Sequence, residues 1–234
     1  MTLHLSAIGF HASDPEALSR FWAALLGRER AADGTVLPPD DGEGFALRFT
    51  ASREPKIRQN QAHFDLTSAT PEQQAATVAR ALELGGRHID IGQSPEETHV
   101  VLADPDGNEF CVIAAGNKFL ADTAFIGAVA CDGTQAVGYF WSEALGWPLV
   151  WDQDEETAVQ SPRGGTKLTW GGPPVNPKTD TNRLYFELTL PPDADEAAEL
   201  ARLTSLGAHH TESGTLLDPD GNEFTLRRTA VSSV

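Results

Sequence analysis

The residues best placed to do chemistry in this chain are a histidine and a carboxylate two positions apart, His63 and Asp65. In the segment 62–67, apolar Phe64 and Leu66 alternate with His63, Asp65 and Thr67, and a strand points successive side chains to opposite faces. His63 and Asp65 then share the polar face, where they can hydrogen-bond a ligand, pass a proton or ligate an ion. Tyr185 and Glu187 repeat that spacing in Tyr185-Phe186-Glu187-Leu188. Glu109 and Glu223 can serve as acid or base only from a buried pocket, and read more readily as carboxylates at the solvent ends of their strands. His11 reads as a loop residue just past the first apolar run, with the end of that strand the alternative. His209 and His210 are adjacent, so in extended chain they point opposite ways and do not chelate together. Asp104-Pro105-Asp106-Gly107-Asn108 has acidic spacing like a calcium loop, but its glycine stands fourth instead of sixth and proline stands second, which excludes calcium. No Ser-His-Asp set, phosphate-binding glycine loop or dinucleotide fingerprint occurs, and the glycine pairs at 85–86, 164–165 and 171–172 read as turns.

The elements that must position these residues follow from periodicity. A strand over 3–10 leads to Asp14 as an N-cap with Pro15 at the first helical position. Leu18, Phe21, Trp22, Leu25 and Leu26 then form the stripe of an amphipathic helix that Gly27 stops. After the strand 62–67, Thr70-Pro71-Glu72-Gln73 is a capping-box pattern opening a helix that runs to 85. Strands over 98–103 and 109–113 flank the tight turn Asp104-Pro105-Asp106-Gly107. Later helices follow Thr134, with Val137, Phe140, Trp141 and Leu145 inward, and Asp193, with Ala197, Leu200, Leu203 and Leu206 spaced by three.

The chain repeats itself. Phe21-Trp22-Ala23-Ala24-Leu25-Leu26-Gly27 returns as Phe140-Trp141-Ser142-Glu143-Ala144-Leu145-Gly146. Leu102 to Phe110 returns as Leu216 to Phe224 around a shared Asp-Pro-Asp-Gly-Asn-Glu-Phe. Between them, Pro55-Lys56, Asn60 and His63-Phe64-Asp65-Leu66 match Pro177-Lys178, Asn182 and Tyr185-Phe186-Glu187-Leu188. The same order at near-constant offsets is a duplication, giving domains over 1–116 and 121–230. Each half divides again into two strand–helix–strands units. Helices over mainly antiparallel sheets are the expected layout, an α+β fold.

Lys plus Arg number 17 against 34 Asp plus Glu, a formal charge of −17, which repels nucleic acid and anionic membrane surfaces. No run approaches the roughly 20 apolar residues that cross a bilayer, and the opening residues read as a strand, not a signal peptide. Two cysteines, Cys111 and Cys131, offer no disulfide framework. The expectation is a cytoplasmic protein.

Taken together, the strand–helix–Leu-Gly units, His63-Phe64-Asp65-Leu66 and the repeated Asp-Pro-Asp-Gly-Asn-Glu-Phe resemble the vicinal oxygen chelate superfamily, which includes glyoxalases, bleomycin-resistance proteins and extradiol dioxygenases, and its glyoxalase-like branch in particular. The resemblance covers nearly the whole chain, twice. It implies four βαβββ units forming two domains whose cup-shaped mixed sheets, covered by helices, enclose a ligand. It also puts a metal-binding histidine at His63. The other implied donors are missing: Ala7 stands at the first-strand position, Cys111 and Thr225 at the final ones, Tyr185 opposite His63, and the strands 45–52 and 167–170 carry no carboxylate. The expectation is a metal-free site, with no cofactor and a small apolar or drug-like ligand contacting His63, Asp65, Cys111, Trp170, Tyr185 and Glu187. Two alternatives stand beside it. One is a metal-dependent lyase, isomerase or dioxygenase holding Zn, Ni, Mn or Fe through His63 and Cys111, with Asp65. The other is a non-catalytic module. Four units can complete two cups within one chain, so a monomer is expected, with a homodimer through edge strands as the alternative.

Overall fold

The computed structural model describes residues 3–39, 44–94, 96–211 and 214–228, so the first two and last two positions of the expected domain spans lie partly or wholly outside the described residues. In chain order the elements are β1 (His4–Ala12), α1 (Pro15–Leu26), β2 (Ala46–Ala51), β3 (Ala62–Leu66), α2 (Pro71–Glu83), β4 (Arg87–His88), β5 (Val100–Ala103) and β6 (Glu109–Val112). The second repeat gives β7 (Ile126–Cys131), α3 (Gln135–Leu145), β8 (Leu149–Gln153), β9 (Glu156–Gln160), β10 (Lys167–Trp170), β11 (Leu184–Leu190), α4 (Glu196–Ser205), β12 (His209–His210), β13 (Leu216–Leu217) and β14 (Glu223–Arg228). The fold is α+β, as expected. No helix among the described residues is long and apolar enough to cross a membrane.

Local chemistry sets the helix ends. The Asp14 carboxylate accepts from the Ala17 backbone N–H at 3.0 Å, Pro15 follows it, and Gly27 closes α1 in the left-handed region at φ 65°. Thr70 accepts from the Gln73 N–H at 3.2 Å, while the Gln73 side chain reaches back to the Ala69 N–H at 2.6 Å, one residue beyond the usual capping box. Two expectations shift. The last helix is capped by Asp195, not Asp193, and the first unit has only β1 and β2 as strands, its inner strands reduced to the bridges Arg30–Val36 and Val36–Leu47.

Strands pair across the repeats. One sheet has the order β12-β13-β14-β11-β1-β2 and the other β4-β5-β6-β3-β7-β10-β9-β8. The antiparallel pairs β1–β11 and β3–β7 join them, so the first and fourth units share one cup and the second and third share the other. Their apolar faces meet in one core. Trp22 of α1 lies with its ring centroid 5.2 Å from Phe64, 5.1 Å from Phe110 and 6.0 Å from Phe10, touching strands of both sheets. Trp141 of α3 lies 4.8 Å from Phe186 and 5.2 Å from Phe224, both in the six-stranded sheet, while α3 itself packs on β9 and β10 of the eight-stranded one. Each such ring buries enough apolar surface that truncation to alanine costs about 3–5 kcal/mol.

A buried carboxylate fastens each of these rings. Asp104 accepts from the Trp22 indole N–H at 3.1 Å and from the backbone N–H of Asp106 and Asn108 at 3.0 and 2.9 Å. Asp218 accepts from Trp141 at 3.2 Å and from Asp220 and Asn222 at 3.0 and 2.9 Å. The repeated Asp-Pro-Asp-Gly turn, with Gly107 at φ 88° and Gly221 at φ 83°, is thus a clasp between a hairpin and a helix.

Burial pushes both carboxyls up to about 6, against the opposing pull of the asparagine and tryptophan hydrogen bonds. A carboxyl whose folded pKa exceeds its unfolded value holds its proton more tightly when folded. Its contribution to stability is therefore full below 3.8 and is lost as pH rises through about 6. Urea midpoints should fall over that interval, and fall less in Asp104→Asn. Asp104→Ala, which strands the Trp22 indole and two backbone donors, should cost about 1–3 kcal/mol. An unchanged unfolding midpoint in Asp104→Ala would remove the clasp from the account.

Candidate ligand site

Sheet register decides which side chains share a cup. In the eight-stranded sheet His63 pairs with Ala130, which pairs with Thr169; Asp65 pairs with Ala128, which pairs with Lys167, and also with Cys111. Directly paired residues lie on one face, so one row reads His63–Ala130–Thr169 and the next Cys111–Asp65–Ala128–Lys167. Phe64 and Leu66 are buried on the other face, as the alternation predicts.

Small residues leave room in this cup. Beside the His63 row lies a cavity of about 280 Å³ lined by Asn60, His63, Glu109, Ala130, Thr169 and Asn176. The His63 Nε2 is 3.5 Å from an Asp65 carboxylate oxygen, and the donor atoms of His63, Asp65 and Cys111 all lie within 4.8 Å of one another. Burial works against a charge on His63, but hydrogen bonds and charge from Asp65 and Cys111 outweigh it and raise its pKa above the ordinary imidazole value. Burial raises the Cys111 thiol, so it stays protonated at neutral pH.

The segment between the repeats lies over the same sheet. Lys167 donates to the Phe119 carbonyl and sits 4.4 Å from that ring's centroid, and Phe119 packs edge-on against Trp151 at 5.9 Å. Trp151 Nε1 is buried and has no hydrogen-bond partner among the described residues.

The six-stranded sheet is different. Its rows read Tyr185–Gly9–Arg48 and Thr225–Glu187–Ala7–Ala46. Tyr185 lies across Gly9, where a Cβ would fall inside its ring, and stands 4.9 Å from the His11 ring. Glu187 is 1% exposed and is met by Arg48 at 2.6 Å and Arg227 at 3.9 Å. That cup is filled by its own side chains, and Tyr185 and Glu187 are spent on them instead of on a ligand.

Trp170 is corrected as well. Lys167 and Thr169 take the cup face of β10, so Leu168 and Trp170 point into the core, where Trp170 is 2% exposed beside Gly133. Glu109 is buried instead of standing at a solvent end, and it and Glu223 are held by Lys56 and Lys178, the second pair at 2.7 Å, which ties the connectors to their strands. His11 belongs to β1, and His209 and His210 are exposed on β12. Sequence reasoning missed Ala130, Thr169, Lys167 and Arg48. The alternation in Lys167-Leu168-Thr169-Trp170 was the available signal for two of them.

The metal site implied by the resemblance needs converging donors from both units of a cup. Here the facing strands β7 and β10 present Ala128, Ala130, Lys167 and Thr169, and a lysine on that face opposes a cation. In the other cup the Glu187 carboxylate is met by two arginines. The residues present do not fit that four-donor arrangement.

The family model described as glyoxalase-like domain matches residues 7–113 and 127–227. Glyoxalase I from Zea mays superposes with a TM-score of 0.63 at 16% identity, covering 96% of this chain and 92% of that one. A putative dioxygenase from Bacillus subtilis gives 0.60 at 13%, covering 98% and 86%. At these identities the likeness is one of fold. No curated protein matches the chain by sequence.

Because the His63 pKa is raised, its pairing with Asp65 stabilises the fold fully below the unfolded imidazole value of 6.5 and is lost as pH climbs through the folded one. NMR titration of the His63 ring should show protonation persisting above neutrality, and Asp65→Asn should bring it down. An identical titration curve in Asp65→Asn would acquit the carboxylate.

Proposed function

The chain belongs to the glyoxalase-like domain family, and we propose that it binds a small, largely apolar metabolite in the cup of its eight-stranded sheet without a metal. The observation that carries this is the contrast between the two cups. Tyr185, Arg48 and Glu187 close one, while Ala130 and Thr169 leave a cavity of about 280 Å³ in the other. Ligand pockets run from about 300 to 1,000 Å³, so the ligand is at the small end.

Ile91 and Ala130 give the cavity apolar wall among polar side chains, and such placed polar groups fix a ligand's orientation. His63, partly exposed on that wall and backed by Asp65, donates to a ligand carbonyl or anionic oxygen. Thr169 faces it across Ala130. Such a site supports sequestration of a drug-like compound or proton transfer on a metabolite. One chain supplies both halves of each cup, which supports a working monomer, and two free cysteines support a reducing, cytoplasmic setting.

A second reading, a zinc ion on His63, Asp65 and Cys111, is favoured by their convergence within 4.8 Å. Elemental analysis separates the two. The metal-free reading expects zinc far below one per chain. Near-stoichiometric zinc, lost in His63→Ala, would replace it.

Screening small planar aromatic compounds by thermal shift should yield stabilising ligands. Ala130→Phe should abolish their effect by filling the cavity. His63→Ala should weaken binding about tenfold, the worth of one well-placed hydrogen bond. Tyr185→Phe should leave it unchanged. Stabilisation that survives Ala130→Phe but vanishes in Tyr185→Phe would put the ligand in the wrong cup.

A further inference from the structure

A second cleft, which shares Gln59, Asn60 and Gln61 with the rim of the cup cavity, lies where the equivalent connectors of the two repeats meet. Residues 55–61 of the first and 180–183 of the second, with His11, enclose about 210 Å³. Duplicated connectors can satisfy each other's polar groups symmetrically, but here two matched positions have diverged in charge. Arg58 matches Asp180, and Gln61 matches Arg183, each 122 residues later.

The divergence leaves two buried atoms without partners. Arg58 pairs with Asp180 across the cleft and reaches Asn182 Oδ1 at 3.5 Å. The mirror contact cannot form, because a carboxylate at 180 has no proton to give to Asn60 Oδ1. Asn60 donates through its nitrogen to Asn108 at 3.1 Å, and its oxygen stays buried and unpaired. Arg183 is only 9% exposed. Its two terminal nitrogens are used, one on Asp106 and one on the Glu54 carbonyl at 3.2 Å, while Nε is buried with no acceptor. Each such orphan costs about 1–3 kcal/mol unless something else meets it.

The residues lining the cleft therefore carry one unmet donor and one unmet acceptor just beneath its surface. Its cations are already matched: Arg183 by Asp106, Arg58 by Asp180 and Lys56 by Glu109. No positive charge is left over to hold an anion. We propose that this cleft is a second ligand site, taking a small neutral molecule through a carboxamide whose oxygen accepts from Arg183 Nε and whose N–H donates to Asn60 Oδ1. A carboxamide carries both complements on one planar group, which a carboxylate, an ether or an amine does not.

The test uses the full chain labelled with the NMR-active nitrogen isotope and titrated with N-acetylglycinamide, the Arg183 Nε–H signal being assigned by its loss in Arg183→Lys. That variant keeps the charge opposite Asp106 and removes the Nε donor. A saturable shift of the Arg183 signal is expected with the amide and none with acetate at equal concentration. It should persist in Ala130→Phe, which closes the cup, so failure here and failure of the cup reading are told apart. An Arg183 signal unmoved by the amide, moved equally by acetate, or made insensitive by Ala130→Phe would overturn the proposal. Should Arg183→Lys not fold, assignment through the Asp106 contact leaves the wild-type titration to decide.

Discussion

The antiparallel pairing of β3 with β7, and of β1 with β11, is the constraint on which the rest of this structure depends. Neither repeat closes its own sheet. A unit of two or four strands exposes an edge of unpaired N–H and C=O groups, and here each inner edge is covered by a unit from the other repeat. The crossing also sets the core. Because the sheets draw on both repeats, Trp22 and Trp141 pack between sheets instead of within one, and their indole N–H groups need buried acceptors there. Asp104 and Asp218 supply them. A turn motif that carries no chemistry of its own is thereby tied to the placement of both cups.

Fold was legible because its signals are local. Proline after Asp14, the helix stripe ending at Gly27 and the Asp-Pro-Asp-Gly turn each act within a few residues, and their recurrence announces the duplication. Alternation within 62–67 was equally local, and it put His63 and Asp65 on the right face. Which units share a cup was not legible. That depends on edges meeting more than a hundred residues apart, and a local pattern is indifferent to the partner.

The site was legible only as far as parity reaches. Tyr185 and Glu187 do face a cup, but Arg48 and Arg227 reach Glu187 from β2 and β14, strands remote in sequence, and turn a candidate ligand contact into an internal ion pair. Glu109 and Glu223 looked like free carboxylates until the connectors brought Lys56 and Lys178 to them. Trp170 is a different kind of error. Its size suggested an aromatic cup lining, whereas the polar alternation of Lys167 and Thr169 already assigned it to the core.

Position by position, the two cups differ by very little. Tyr185, Gly9 and Arg48 in one row correspond to His63, Ala130 and Thr169 in the other, and Glu187 and Thr225 to Asp65 and Cys111. Gly9 is what lets the tyrosine lie flat: with no Cβ beneath it, the ring drops into the space a ligand would use. Alanine at 130 lifts that floor, and threonine for arginine at 169 removes the arm that would cross it. Duplication makes such divergence affordable, since one filled cup can carry stability while the other gives up packing for an open wall. The filled cup gains a buried glutamate paired with half-exposed arginines; the open one retains a histidine held by a carboxylate. A cavity of this kind persists only if the surrounding sheet is rigid enough not to collapse into it, and the shared core, pinned by two tryptophans across both sheets, supplies that rigidity.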